Sequence, residues 1–318
     1  MRKSFVYLLA ALTLSSCFKE EEPVEPYPRG SNQENLLKLG ENYEQQLYLD
    51  LGTNKVVKAN SRSAWDLAFS CDPDLAYVTL NSGRNMRAGK TSATEVYDLI
   101  DTAGLQMNWD WSNGRPDSTA MVHWADGNVY LLDLGLDNEF EPLGYIKVKV
   151  EKRFDSWHLE FAALGSTDAD SADIPVDEEY NNVHYSFLNG SIADIEPKKS
   201  EWDLWFTQYV FYFEEEDFPY LVLGTLLNPH ATEAYREYEL DYDLIERDLL
   251  DESSFTDIAD VIGYDWKYFS FGEGTYVVLD DQIYLLRDSE GFVYKFKFTG
   301  FYNSSGDKGY PTISFEKI

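Results

Sequence analysis

The sequence predicts an all-β fold of two tandem antiparallel β-sandwich-like domains, with a minor helical insertion in the second. Apolar residues make up 44% and aromatic residues 16% of the 318 residues, which is enough for a core and favours strands, because sheets are enriched in aromatic side chains. From residue 40 onward, short alternating or aromatic-rich runs are separated by Gly, Asn and Asp, a pattern typical of strands and turns. The same series of strand motifs then occurs twice.

The composition also limits the function. The chain has 26 Lys and Arg against 57 Asp and Glu, a net charge of −31, and it therefore lacks the positive surface that binds nucleic-acid phosphates. The sequence contains no GxSxG, HExxH, GxxxxGK[ST], GxGxxG or CxxC motif. We therefore predict a binding protein and not an enzyme.

The first seventeen residues predict a lipid anchor at a bacterial membrane. Arg2 and Lys3 precede a short apolar run, and the Leu-Ser-Ser-Cys sequence at 14–17 matches the lipobox after which a signal peptide is cut and the cysteine is lipidated. The apolar run is too short to cross a bilayer as a helix. We expect residues 1–16 to be a signal peptide and the lipid on Cys17 to hold the protein at the membrane.

Residues 17–39 predict an acidic, proline-rich tether. Three consecutive Glu at 20–22 are followed by three Pro within six residues, a composition too polar to pack into a core. Residues 34–39 allow one short helix. Acidic residues directly behind a lipidated cysteine resemble the export signal that sends Bacteroidetes lipoproteins to the outer face of the outer membrane. We therefore expect an outer-membrane protein that faces the cell exterior and contacts the membrane only through its lipid.

Two copies of one motif series indicate an internal duplication. Each copy contains, in the same order, a tyrosine-containing strand, a Trp-Asp-Leu-x-Phe segment, an Ala-Thr-Glu segment and a Tyr-Leu-Leu segment. These are residues 46–48, 65–69, 93–97 and 129–132 in the first copy, and 183–185, 202–206, 231–235 and 283–286 in the second. Seventeen residues separate Tyr48 from Trp65 and Tyr185 from Trp202. Several anchors in one order predict tandem copies.

Composition sets the boundary between the copies. Residues 165–182 are rich in Asp, Glu and Ser and nearly free of large apolar side chains, which predicts an acidic linker between domains at 40–164 and 183–318. Asp173 occupies the position at which an EF-hand loop requires Gly, so we favour a linker over a calcium site. Residues 231–262, the one long stretch without strand alternation, are the predicted helical insertion.

The motifs resemble those of the HmuY family. The resemblance rests on the Trp-Asp-Leu-x-Phe segments, the Gly-rich polar loop 81–90, the segment 266–271 and the closing runs 283–298 and 308–315. This family comprises β-rich surface lipoproteins of Bacteroidetes, and its named member captures haem. The resemblance covers most of residues 40–318 and implies that the chain binds haem or a related tetrapyrrole for delivery to a TonB-dependent transporter.

The resemblance also implies axial ligands for the haem iron, one before a Trp-initiated strand and one, a histidine, just after its Trp. In the first copy the segment before that strand offers Met107, and the residues at 113–116 after Trp111 include no histidine. In the second copy Trp266 is followed by Ser-Phe at 270–271, and the preceding segment has neither His nor Met. We therefore expect one site, in the first copy, with methionine ligation.

Haem binding requires an apolar aromatic slot, an axial His, Met or Tyr, and cations near the propionates. The axial-ligand candidates are Met86, Met107, Met121 and His123, and the candidates for propionate contact are Arg84, Arg87 and Lys90. Met121 and His123 lie two apart on a predicted strand at 119–124 and so share a face. Two alternative interpretations remain open: the basic residues could simply form a solvated turn, and Met121 and His123 could simply pack in the structure. We interpret His158, His184 and His230 as structural or surface residues.

Two other functions remain open. In a glycan-binding surface lipoprotein, tryptophans would stack on sugar rings, although the core of a β-sandwich uses the same residues. The candidates for stacking are Trp109, Trp111 and Trp124, or Trp202 and Trp205. In a non-catalytic accessory subunit of an outer-membrane protein complex, a large exposed apolar patch would mark the interface.

Overall fold

The computed structural model describes residues 30–213, 215 and 218–318. These residues form twenty strands, five single-turn 3-10 helices and no α-helix, and every strand pairing among them is antiparallel. The prediction of an all-β, antiparallel fold is confirmed. No helix in this part of the chain is long and apolar enough to span a membrane. The predicted signal peptide, Cys17 and most of the predicted tether lie outside the described residues.

Most strands follow one another with short connections, and the two long connections are residues 91–129 and 238–266. The first ten are β1 (Gln33–Leu36), β2 (Gln45–Asp50), β3 (Lys55–Ser61), β4 (Leu67–Ser70), β5 (Val78–Leu80), β6 (Arg87–Lys90), β7 (Tyr130–Asp133), β8 (Tyr145–Lys152), β9 (Ser156–Ala163) and β10 (Asp170–Pro175). The others are β11 (Asn182–Ser186), β12 (Ser191–Ala193), β13 (Leu204–Phe213), β14 (Phe218–Leu227), β15 (Glu233–Glu237), β16 (Lys267–Ser270), β17 (Thr275–Val278), β18 (Ile283–Arg287), β19 (Val293–Tyr302) and β20 (Lys308–Lys317).

These strands form four sheets and one small hairpin. Sheet I has the order β10-β9-β8-β7-β6, sheet II β12-β11-β4-β5, sheet III β3-β2-β13-β14 and sheet IV β1-β20-β19-β18-β15. The hairpin β16-β17 has no strand pairing with these sheets. Sheets I and IV correspond strand by strand, and so do sheets II and III. The duplication seen in the sequence is therefore also a duplication of sheet topology.

Three layers of buried side chains hold the sheets in the order I, II, III, IV. Leu132 and Trp157 of sheet I pack in one cluster with Phe69 of sheet II, and Phe206 of sheet III packs with Phe298 of sheet IV. The Trp-Asp-Leu-x-Phe segments explain this packing, because alternation along a strand sends the Leu and the Phe of each segment to one face. Sheets II and III meet through a third, smaller cluster.

Each inner sheet combines strands from both halves of the chain. In sheet III, β2 pairs with β13, so that Leu49 lies opposite Leu204. In sheet II, β11 pairs with β4, so that Tyr185 lies opposite Leu67. The two copies have thus exchanged their first two strands. We call residues 62–193, with sheets I and II, the first unit, and the described residues of 30–61 and 194–318, with sheets III and IV, the second unit.

The exchanged strands are fixed by one arrangement of hydrogen bonds that occurs in both units. The Asp66 carboxylate accepts the backbone N–H of Phe187 at 2.6 Å, and the Asp203 carboxylate accepts that of Leu51 at 2.8 Å. Both carboxylates thus bind the chain just beyond an exchanged strand. The conserved position of Asp within the two Trp-Asp-Leu segments of this sequence therefore has a structural reason.

The strand pairing corrects the register of one sequence anchor. Leu49 and Tyr185 occupy equivalent positions, so the counterpart of Tyr48 is His184 and not Tyr185. The two rings make the same contact. Tyr48 meets Trp202 edge-on, with ring centroids 4.9 Å apart, and His184 meets Trp65 in the same way at 4.6 Å.

The acidic segment at 165–182 is not only a connection. Its residues Asp170–Pro175 form β10, which pairs with β9 at the edge of sheet I. Alternation along β10 leaves Asp173 exposed and buries Ile174 completely, so this strand of the acidic segment still contributes to the core. Strand pairing also crosses the predicted division into 40–164 and 183–318. From this pairing we expect the first and second units, and not the segments 40–164 and 183–318, to be the folding units, and the fragments described in the Discussion test this.

The predicted helical insertion at 231–262 contains β15 and two 3-10 turns, Tyr242–Leu244 and Arg247–Leu249. Ile245, between the turns, is fully buried beside Leu285 and Val293. The acidic side chains around it stay exposed. A single buried residue across the two turns does not make the apolar stripe by which a helix packs on a core. The allowed helix at 34–39 is likewise absent, because Gln33–Leu36 form edge strand β1.

Candidate ligand-binding site

Three of the seven predicted haem-site residues lie in the core of the first unit. Met86 and Met121 are 1% and 0% exposed and belong to the cluster between sheets I and II. The Arg84 guanidinium forms a buried ion pair with the Asp66 carboxylate and donates to the backbone carbonyl of Leu134 at 2.8 Å. These contacts make Arg84 a structural cation, which corrects its prediction as a propionate contact.

The predicted strand at 119–124 is a series of turns, which corrects the expectation that Met121 and His123 share a face. The chain turns through residues 119–123 and then forms the 3-10 helix Trp124–Asp126, so Met121 is buried while His123 is exposed. The buried Asp110 carboxylate accepts the backbone N–H of Ala120 at 2.7 Å. This bond occupies an N–H group that a strand would use for its neighbour.

The other four predicted residues gather along β6, the edge strand of sheet I. Arg87 begins β6 and Lys90 ends it. The Met107 sulfur lies 2.7 Å from the place that a Cβ atom on Gly89 would occupy, so the thioether packs directly on the β6 backbone, and only a glycine leaves it that space. Lys90 forms an ion pair with Asp126. The structure thus brings the candidate axial ligand Met107 and the candidate cations Arg87 and Lys90 to the edge strand β6.

Asp126 also connects His123 to this edge. The pKa of the Asp126 carboxyl lies below its ordinary value, first because of the hydrogen bond and charge of Lys90 and to a smaller extent because of the charge of His123. The Asp126 backbone N–H also donates to the His123 carbonyl at 3.1 Å. The exposed His123 therefore lies one turn of chain away from the partner of Lys90.

Arg87 adds an aromatic surface to the edge of β6. Its guanidinium pairs with the Asp133 carboxylate at 2.9 Å and lies 5.6 Å from the ring centroid of Trp109. The Trp109 indole donates to the Asn85 side-chain oxygen at 2.9 Å, which fixes the ring. Sequence reasoning identified Trp109 only as a possible sugar-stacking residue.

A groove of about 530 Å³ opens beyond the end of β6. It is lined by Lys90 and the three residues after it, and by side chains of the segment 98–105 that precedes Met107. Sites for drug-sized ligands typically have volumes of about 300–1,000 Å³. The groove therefore has the size of a ligand site, beside the four gathered residues.

A second, smaller cavity of about 160 Å³ lies between sheets II and III. Seven aromatic side chains and His184 line it, together with the polar side chains of Asp110, Glu196, Asn182 and Gln208. The aromatic residues are Tyr48, Trp65, Tyr77, Trp111, Trp202, Trp205 and Tyr209. We call it the interunit cavity. Three of these tryptophans were candidates for sugar stacking, but no sequence signal pointed to Asp110, Glu196 or His184.

Burial shifts the pKa values of the ionisable groups in the interunit cavity, so that the two carboxyl groups are only partly ionised near neutral pH and the imidazole is neutral. It raises the pKa of Asp110 to about 7, although two backbone N–H groups stabilise the carboxylate. It raises the pKa of Glu196 to about 7 against hydrogen bonds from Asn181 and Asn182. Burial, with a smaller contribution from the charge of Lys58, lowers the pKa of His184 to about 3.

Comparison with known proteins identifies the family. The family model described as HmuY protein matches residues 42–168 and 235–315, more than half of the chain. A comparison with solved structures aligns the chain with the apo HmuY analog (TFO) of Tannerella forsythia and with apo PinO from Porphyromonas gingivitis. Both are 11% identical in sequence; 90% of this chain matches 95% of the first with a TM-score of 0.35, and 91% matches 98% of the second with a TM-score of 0.36. No curated protein matches the sequence. Since the family model covers most of both copies, the chain belongs to the HmuY family.

Proposed function

We propose that this protein is an outer-membrane surface lipoprotein that captures haem or a related tetrapyrrole and delivers it to a TonB-dependent transporter. The observation that carries the proposal is the arrangement along β6. Arg87 begins β6 and the Met107 sulfur packs on its backbone, while Lys90 ends the strand and lines a groove of about 530 Å³. His123 lies one turn of chain before Asp126, the partner of Lys90. Membership of the HmuY family supports the same ligand class.

The residues along β6 supply each kind of contact that haem needs. The Met107 thioether and the His123 imidazole are axial-ligand types found in haem proteins, and the half-buried Trp109 ring offers an apolar face. The side chains of Arg87 and Lys90 reach solvent, with 37% and 34% exposure, and are paired with Asp133 and Asp126. Exposed pairs of this kind contribute little, about 0–1 kcal/mol. Propionates can therefore replace the carboxylates at small cost.

We expect haemin titration of the wild-type protein to saturate at about one equivalent, with the absorption spectrum of Met or mixed Met/His ligation. Met107→Leu and His123→Ala should each change that spectrum, because each removes an axial ligand. Met121→Leu is the matched control, since Met121 lies in the core and should leave the spectrum unchanged. Two equivalents bound, or a spectrum insensitive to both ligand substitutions, would refute the site on β6.

We expect Cys17→Ala to release the protein from the membrane fraction, because the lipid on Cys17 is the proposed anchor. Cell fractionation with an antibody against the protein measures this. Protease added to whole cells should digest the wild type if it faces the exterior. A variant that stays in the membrane fraction would contradict the anchor, and a protected wild type would place the protein on the periplasmic face.

The hairpin β16-β17 supports delivery to a partner. Tyr268, Phe269 and Phe271 are 52%, 41% and 92% exposed, and clustered exposed aromatic rings are typical of protein interfaces. Exposed rings also suit the two other functions considered, glycan binding and a role as accessory subunit. Haemin titration separates these from the proposed function, since neither predicts a spectrum of ligated haem.

A further inference from the structure

The interunit cavity has walls of aromatic rings on both sides. Trp65 and Trp202 are 3% and 4% exposed and occupy equivalent positions in the two units. Tyr48 stacks on Trp205 with centroids 5.8 Å apart and ring planes within 2° of parallel. Rings held in this way have fixed faces, and the face of an aromatic ring is its electron-rich side.

Two buried carboxyl groups in this cavity have no cationic partner among the described residues. Asp110 is 9% and Glu196 5% exposed, and neither forms an ion pair. The cavity lining contains no Lys or Arg. The cation nearby, Lys58, pairs with the Asp194 carboxylate and donates to the backbone carbonyl of Glu196. Buried carboxylates without a positive partner are unfavourable, so the cavity would be stabilised by a cation from outside.

The cavity also contains unpaired hydrogen-bond acceptors. The side-chain oxygens of Asn182 and Gln208 are buried and have no hydrogen-bond partner, and both residues line the cavity. Gln208 is only 5% exposed. The lining residues also carry unpaired donors, which are the indole N–H groups of Trp65, Trp202 and Trp205 and the Tyr209 hydroxyl. Most buried polar groups in proteins are paired, so the lining indicates a ligand with both a donor and an acceptor, such as an amino alcohol.

We propose that the interunit cavity binds a small organic cation, an amine or a quaternary ammonium group, held between the aromatic faces and beside Asp110 and Glu196. Aromatic rings attract organic cations through the negative charge of their faces, and quaternary ammonium groups are commonly bound in such cages. The volume of about 160 Å³ is below the range of about 300–1,000 Å³ for drug-sized ligands. This site is therefore distinct from the groove at β6 and does not depend on haem binding.

The mouth of the cavity lies where the two units touch. Trp111 lines the cavity and is 47% exposed. The loop that follows it is tied to the second unit, because Ser112 donates to Asp260 at 2.5 Å and Arg115 contacts both Asp257 oxygens, the closer at 2.6 Å. A ligand entering beside Trp111 therefore contacts residues of both units.

Titration calorimetry with choline tests the proposal. The matched control ligand is the neutral carbon isostere of choline, in which a tert-butyl group replaces the trimethylammonium group. We expect choline to bind about tenfold more tightly than this isostere, which has the same shape without the charge. Ethanolamine in a parallel titration separates a primary amine from a quaternary one. Equal affinity for choline and its isostere, or no binding of choline or ethanolamine at millimolar concentration, would overturn the proposal.

Two pairs of variants locate the site. Glu196→Gln removes one carboxylate from the cavity and should weaken choline binding about tenfold, whereas Asp126→Asn removes the same charge at β6 and should not. If Glu196→Gln does not fold, Trp111→Ala replaces it as the test variant.

The Trp111 side chain is half-exposed, so its removal should spare the fold, and it should weaken choline binding several-fold. The control for this variant is Phe271→Ala, on the hairpin β16-β17. Equal effects within either pair would place the cation elsewhere. Because Asp126 and Glu196 belong to different sites, loss of haemin binding and loss of choline binding are separable results.

Discussion

Residues 62–193 expressed alone are expected to fold as a cooperative β-rich monomer, whereas residues 40–164 are expected to remain unfolded. The first fragment contains every strand of sheets I and II and the whole buried cluster between them. The second lacks β10, β11 and β12, so β4 loses its neighbour β11. It also carries β2 and β3 without β13. Circular dichroism and urea unfolding measure the difference.

The size of the expected effect follows from what each fragment leaves unpaired. Fragment 40–164 loses the fully buried Ile174 and the 3% exposed Tyr185 from its core. Removing one large buried side chain costs about 2–5 kcal/mol, and whole domains have only about 5–15 kcal/mol. The loss of two such residues with their strands therefore suffices to prevent folding. Equal stability of the two fragments would show that the exchange is dispensable and that the sequence copies are the folding units.

The second copy provides the matched test. Residues 183–318 lack the segment 30–61, which contains β1, β2 and β3 and supplies Leu37, Leu47 and Leu49 to the core between sheets III and IV. A peptide of residues 30–61 added in trans should restore cooperative unfolding, because it contains all three strands. The same peptide should leave the fragment 62–193 unchanged, since none of its strands belongs to sheet I or II.

The sequence predicts the strands and their duplication because these depend on local patterns. Alternation in segments such as Trp202 to Phe206 reports which side chains share a face, whatever strand lies alongside. The exchange is not local: Leu49 lies 155 residues from its partner Leu204. No spacing within either copy distinguishes this pairing from one within a copy. The sequence motif pairs Tyr48 with Tyr185, but in the structure His184 occupies the position equivalent to Tyr48. The motif is therefore wrong by one residue.

For the candidate site too, the sequence predicts the residue types but not how the chain brings them together. Arg87, Lys90 and Met107 were identified from residue type, and β6 brings them together because it is short and lies at an edge. Met121 was assigned to an open strand, but the hydrogen bond from Ala120 to Asp110 turns the chain. The interunit cavity could not be predicted, since its lining comes from segments that become neighbours only after strand exchange.

The second large effect is expected from Arg84→Met, which should lower the free energy of unfolding by about 3–5 kcal/mol at pH 8. The side chains of Arg84 and Asp66 are 5% and 3% exposed. Removing the guanidinium therefore leaves a buried carboxylate unpaired. Arg87→Met is the matched control, because its pair with Asp133 is half-exposed and should contribute about 0–1 kcal/mol. Urea unfolding of the two variants measures the difference, and equal losses would contradict a structural role for Arg84.

The loss caused by Arg84→Met should shrink as the pH falls. Burial raises the pKa of Asp66, and the charge of Arg84 lowers it in opposition, so the variant should have a higher Asp66 pKa than the wild type. Asp203 occupies the equivalent position in the second unit and has no arginine partner among the described residues, and burial raises its pKa to about 7. We expect the pKa of Asp66 in the variant to rise toward a similar value. When the folded-state pKa lies above the unfolded value of 3.8, the folded protein binds the extra proton and stability falls as pH rises between the two values. The variant should therefore lose less stability at pH 5, where Asp66 is protonated, than at pH 8. If Arg84 instead contacted a propionate, Arg84→Met would weaken haemin binding without this pH-dependent loss of stability.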